Sequence, residues 1–259
     1  MPGSATEGRY LYCVADTGDR ISLGAIGIDG NEVYTVSYRD ISAVVHDCPA
    51  EPYKSDDGAK LRHWAMAHQA TVDNAWNRCG AVLPFSFNTI VRIEAGRDAR
   101  QSVSRWIEDN HERLRQKIER VKGRAEYGVQ VLWEPKLVAE DIAKTTPELS
   151  RLEEEIRSKP RGMAYMYRQR LEGLLRKEME AGADRFFKQC YSRIRVFADD
   201  VHVEKVKMAE AEVQMILNLS CLVSKDSYKD LGEELDKICQ IRGLSVRFTG
   251  PWPPYSFVG

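Results

Sequence analysis

His63, His68, Cys48 and Cys79 are the residues in the first third of this chain whose types could do chemistry together. A five-residue step on a helix turns the two histidines about 140° apart. No Glu or Cys nearby completes a ligand set with them, so the spacing argues against a metal. A Cys48 or Cys79 thiolate beside a histidine would be a nucleophile, but neither cysteine carries a local signature that brings a base to it. Gly24, Gly27 and Gly30 fit neither a P-loop nor a dinucleotide fingerprint and read as a surface turn. Glu153 to Glu155 and the Asp199-Asp200 pair read as solvated carboxylates, because consecutive acids spread around a helix surface. Lys159, Arg161, Arg168 and Arg170 make a basic spot that suits a solvated face or an acidic partner. No nucleophile, base and oxyanion site assemble, and no cofactor is expected. A small-molecule or thiol-dependent enzyme with an interdomain site is the alternative reading, and it requires His68, Cys79 and a carboxylate within hydrogen-bond reach.

The densest concentration of unusual residues is the ending, Thr249-Gly250-Pro251-Trp252-Pro253-Pro254-Tyr255-Ser256-Phe257. Its prolines fix their own φ and bias the preceding residues toward extended backbone, so the peptide loses little entropy on docking. The rings then either pack back on the protein's own core or present a surface to a partner, and different rings can do different things. Trp252, Pro253, Pro254, Tyr255 and Phe257 are the candidate partner-binding residues, with Phe85 and Phe87 as a second candidate surface.

The elements that position these residues follow from composition and periodicity. With 259 residues, 30% charged and 43% hydrophobic, and a net charge of -1, the chain has the makeup of a globular protein and lacks the basic excess of a nucleic-acid binder. No apolar run approaches the roughly 20 residues of a membrane span, and the N-terminus lacks the layout of a signal peptide, so a cytoplasmic location is expected. The six scattered cysteines read as reduced thiols.

Tyr10 to Ala15 reads as a strand, and 32–36 with 41–46 as a hairpin. Leu61, Trp64, His68, Val72, Ala75 and Trp76 recur at helical spacing up to Gly80. Val82 to Phe87 makes a short strand interrupted by Pro84, and Val103, Trp106, Ile107, Leu114, Ile118 and Val121 form the apolar core face of a second helix. The segment 127–133 alternates as a strand, completing an α+β domain over 8–135. A linker over Lys144 to Pro147 leads into one long helix that Thr146 can cap, with Pro147 at its first position, kinked near Pro160 and running on toward Cys190. A strictly alternating strand at 213–223, a short helix from Tyr228 and a last strand at 244–248 give a second, ferredoxin-like α+β domain over 146–259 that ends in the Pro-aromatic tail.

Tyr10-Leu11-Tyr12 with Ile41 to Val45, the His68 to Val72 and Val82 to Thr89 segments, Pro160 to Tyr165, and above all Gly250-Pro251-Trp252-Pro253-Pro254-Tyr255-Ser256-Phe257 together resemble the GvpL/GvpF family of gas vesicle proteins over nearly the whole chain. Three positions depart from the family pattern: Phe85 and Asn88 stand where a smaller residue and a glycine are expected, and Met163 replaces an arginine. The resemblance implies an accessory protein of gas vesicle assembly without catalytic residues, cofactor or metal. It also implies a place in the cytoplasm in association with the vesicle. Its partners would be the small hydrophobic shell protein and other accessory proteins, with no nucleic acid and no membrane span.

Overall fold

The computed structural model describes residues 7–92, 98–206 and 213–258. They form two compact units, one of residues 1–126 with 251–259 and the other of residues 127–250.

The first unit is built on β1 (Glu7–Ala15), whose apolar run is almost wholly inaccessible from Tyr10 to Ala15. Successive side chains of a strand face opposite sides, so complete burial means that both faces of β1 are covered. β1 pairs antiparallel with β4 (Ile41–Pro49), which forms a tight hairpin with β3 (Val33–Tyr38). β2 (Ser22–Gly24) extends this edge. On its other edge β1 pairs first with β5 (Val82–Pro84) and then with β6 (Ile90–Arg92), giving the order β2-β3-β4-β1-β5 with β6 also on β1. β2 and β6 have only three residues each, too few for a visible period.

Two helices cover this sheet. In α1 (Gly58–Cys79), the Asp57 side chain accepts the Ala59 N–H at the start, and Gly80 closes the end at a φ of 80°. α1 delivers Trp64, Val72 and Ala75 to the cluster around Tyr10 and Tyr12. α2 (Ala99–Val121) begins with a reciprocal capping box between Asp98 and Gln101 and packs on β1, β3 and β4. Arg115 of α2 holds Asp16 at 2.6 Å and Asp40 at 3.0 Å, tying the helix to the end of β1 and to the hairpin turn.

In the second unit, β7 (Arg124–Trp133), α3 (Pro135–Thr145), α4 (Pro147–Ser158) and α5 (Arg161–Arg195) precede β8 (Asp200–Val203) and β9 (Gln214–Ser224). α6 (Tyr228–Cys239) and β10 (Leu244–Trp252) complete the series. The sheet order β10-β7-β9-β8, with helices between β7 and β8 and between β9 and β10, is the split βαβ arrangement of ferredoxin-like folds. α6 buries Leu231, Leu235 and Ile238, and Glu234 on the same helix pairs with Arg193 of α5.

Several elements differ from the sequence expectations. The strand at 127–133, expected in the first domain, is β7 of the second sheet, because its ladder partners are β9 and β10. The tail residues 251–259 group with the first unit and not with the second. The helix expected to kink near Pro160 is two helices: Lys159 takes an extended ψ of 150°, as the residue before a proline is driven to do, and α4 packs against α5. The expected linker at Lys144 is the end of a helix, α3, which the sequence reading did not anticipate, and Thr146 caps α4 without a side-chain hydrogen bond. β9 does not alternate between core and solvent, since 217–223 are all buried.

A candidate docking pocket at the tethered C-terminal peptide

The ending of the chain folds back on the first unit. Pro253 and Pro254 are buried, and Phe257, in the 3-10 turn 255–257, is 3% exposed. The turn is held from outside. The Ser256 N–H and the Ser256 hydroxyl each donate to one oxygen of the Glu126 carboxylate, both at 2.7 Å, and Lys117 Nζ donates to the Val258 carbonyl at 2.8 Å. Charged acceptors and donors make bonds of roughly twice the neutral strength, so one carboxylate and one ammonium fix the peptide's register.

Tyr255 projects from this turn toward the core, and its hydroxyl is buried without a hydrogen-bond partner among the described residues. Burial, reinforced by the neighbouring Cys13 thiol and the Asp73 and Glu126 carboxylates, pushes its pKa well up, so it stays protonated.

The loop after β5 supplies the facing wall. Phe85 N–H donates to the Tyr12 carbonyl and Leu11 N–H to the Thr89 carbonyl, both at 2.9 Å, so the loop is laced to the edge of β1. Asn88 adopts a φ of 70°, which explains why a glycine was expected there: asparagine is among the few other residues that tolerate this left-handed conformation. Its amide also bonds the Tyr53 N–H and carbonyl at 2.8 and 3.1 Å, an anchor that glycine lacks.

From α2 comes Trp106, which meets Phe85 edge to face at 5.8 Å, followed on the same stripe by Arg113, Leu114 and Lys117. A pocket of about 320 Å³ lies between these groups, with Phe85, Trp106, Leu114 and Tyr255 as its apolar wall and Arg113 and Lys117 as its cations. Such a concavity, apolar with a few placed charges, suits an apolar side chain or small group carrying a negative charge nearby.

Of the seven candidate residues, Phe85 and Tyr255 therefore converge on one pocket although they lie far apart in the chain. Pro253, Pro254 and Phe257 serve to dock the tail. Phe87 is half-buried against the core, with His68 edge-on at 6.1 Å and Tyr10 at 6.3 Å. Trp252 is 46% exposed and does not line the pocket. Sequence reasoning placed Trp106 on the core face of α2 and gave no role to Arg113, Lys117 or Glu126, since their functions depend on where the tail lands.

Behind the pocket lies a buried polar network. Tyr10 accepts the Asn88 N–H and so gives its own proton to His68 Nδ1 at 3.0 Å, while His68 Nε2 donates to the Phe85 carbonyl at 3.0 Å. Tyr12 likewise accepts the Ile28 N–H and meets His46 Nδ1 at 2.8 Å, with His46 Nε2 on Tyr53 at 2.9 Å. Burial holds both imidazoles neutral, His46 with a pKa pushed down to about 4. Both ring nitrogens of His68 are thus engaged, so the His68-Cys79-carboxylate constellation required by the enzyme reading is not formed. Gly24, Gly27 and Gly30 form a turn closing over Tyr12: a Cβ on Gly27 would meet the Asn31 carbonyl at 2.8 Å and the Tyr12 hydroxyl at 2.9 Å. Among the described residues no group of three His, Cys, Asp or Glu side chains is placed to hold a metal, and no helix is long and apolar enough to cross a membrane.

Two antiparallel sheets with their helices and an aromatic ending tethered beside an apolar pocket define a mixed α+β protein. The chain belongs to the gas vesicle synthesis protein GvpL/GvpF family, whose model matches residues 8–259. It is 32% identical to gas vesicle protein L1 of Halobacterium salinarum, over 98% of this chain and 91% of that protein. It is 26% identical to gas vesicle protein L of Haloferax mediterranei, over 98% and 88%. Its fold is that of the crystal structures of GvpF from Anabaena sp. PCC7120 (TM-score 0.76, 18% identity, 98% of this chain and 99% of that one) and from Microcystis aeruginosa (TM-score 0.66, 16% identity, 97% and 99%). A gas vesicle accessory role follows from family membership.

Proposed function

We propose that this accessory protein binds the small hydrophobic shell protein, supporting nucleation and assembly of the vesicle, and that the pocket beside the C-terminal peptide receives an apolar side chain of that partner. The observation that carries this reading is the convergence of Phe85 and Tyr255, with Trp106, on one apolar pocket flanked by Arg113 and Lys117. A shell subunit that buries its apolar surface only on assembly needs a binder beforehand, since exposed apolar patches and strand edges aggregate. Aromatic side chains in a preformed pocket are the usual anchors of such contacts, and the cations select an acidic neighbour on the bound segment. The protein acts without catalysis, in the cytoplasm and at the vesicle, where other accessory proteins share the contact.

The test is co-purification of the tagged chain from cells making the shell protein, with the native sequence, with Phe85→Ala plus Trp106→Ala, and with Arg113→Glu. The native chain recovers the shell protein, and each altered chain, confirmed folded by circular dichroism, recovers at least tenfold less. Failure of the native chain to recover it, or full recovery by both altered chains, overturns the reading.

A further inference from the structure

α5 runs for 35 residues yet leaves much apolar surface unpartnered. Leu171, Leu174, Leu175 and Met179 stay partly exposed, and Tyr165 and Met166 are 60% and 72% exposed. A groove of about 680 Å³ runs along the second half of the helix, with Trp133, Leu175, Met179 and Ala183 among its apolar residues.

Beside this apolar strip runs a row of charges at four-residue spacing and alternating sign: Arg168, Glu172, Arg176 and Glu180. All four are exposed, and none enters a hydrogen bond or ion pair among the described residues. The spacing permits pairing within the helix, but the side chains are not engaged that way. Such a row repels a parallel copy of itself, because each charge then faces its own kind. An antiparallel copy is different. With a twofold axis at the level of Leu174, Arg168 faces the partner's Glu180 and Glu172 faces the partner's Arg176, and symmetry repeats both pairs.

The same register places the exposed Tyr165 over the partner's Ala183, in the groove. Two independent features, the charge order and the position of the exposed ring relative to the groove, select one alignment.

We infer that α5 is a self-association surface, and that its occupant is α5 of a second copy of this chain, packed antiparallel about Leu174. The contact spans about five helical turns from each copy. Burial of Tyr165, Leu175 and Met179 supplies the affinity, and the ion pairs set register and polarity, as exposed pairs individually contribute little. Closed twofold pairing is the commonest form of homo-oligomer. It gives each assembly two copies of the docking pocket, suited to a repeating shell surface. The inference does not depend on the pocket's role.

Sedimentation of the purified chain under reducing conditions tests it. The native chain is a concentration-dependent dimer that salt weakens. Arg176→Glu places two carboxylates face to face at each symmetry-related position and raises the dimer dissociation constant about tenfold or more. Adding Glu172→Arg to that variant recreates opposite charges across the axis and restores the constant to within about threefold. A native chain that stays monomeric up to about 100 µM, a dimer indifferent to Arg176→Glu, or a double variant that fails to recover while its circular dichroism remains native would each overturn the proposal.

Discussion

Glu126 and Ser256 meet through two hydrogen bonds of 2.7 Å, the serine giving its N–H to one carboxylate oxygen and its hydroxyl to the other. This single side chain, together with Lys117, converts a proline-stiffened ending into the wall of a pocket. Glu126→Ala removes both bonds and is expected to cost about 1.5–3 kcal/mol, the range for hydrogen bonds to charged groups. Thermal denaturation measures the loss, and limited proteolysis should show the last residues cleaved sooner than in the native chain.

Phe257 and Trp252 should behave oppositely despite standing five residues apart. Phe257 is 3% exposed, so Phe257→Ala is expected to destabilise by about 3–5 kcal/mol through lost burial and the cavity left behind. Trp252 is 46% exposed, and Trp252→Ala should stay within about 1 kcal/mol of the native chain. Urea unfolding of the two variants separates a docked ring from a free one.

Stability should fall on mild acidification. His46 has an ordinary value of 6.5 and a folded value pushed down to about 4, chiefly by burial, so between these limits the unfolded chain binds more protons. The contribution is complete above pH 6.5 and lost as pH falls toward about 4, and His68, also lowered by burial, acts in the same sense. Between pH 7.5 and pH 5 the loss from His46 is about 2 kcal/mol. Urea midpoints at the two values check it, and a His46→Gln variant should flatten the dependence. Asp40, whose carboxyl is held below its usual value mainly by its hydrogen bond with His111, contributes only at lower pH.

Asn88 combines a left-handed backbone with two amide hydrogen bonds to Tyr53. Asn88→Ala loses the bonds and strains the backbone, whereas Asn88→Gly loses the bonds alone, so alanine should be the worse substitution by about 1 kcal/mol. Denaturation of both variants decides whether backbone or side chain dominates at this position.

Local patterns in the sequence determined much of this protein. The unbroken apolar run of β1, the 3- and 4-residue recurrence in α1 and α2, the stop at Gly80 and the Pro-aromatic ending all act through neighbours a few residues away, so they were legible without a structure. The final residues, read with the β1, β5 and α5 segments, also carried the family resemblance. The three-residue strands β2 and β6 were not legible, being too short for a period, and neither was the sheet to which β7 belongs, because a strand's own residues do not name its partners. Tertiary structure decided the rest. Only the fold brings Glu126 to Ser256 and Tyr255 to Phe85, packs Phe87 against the histidine network and leaves Trp252 outside. Burial and hydrogen bonding between distant segments set those roles, and the composition of a segment does not encode where another segment will land.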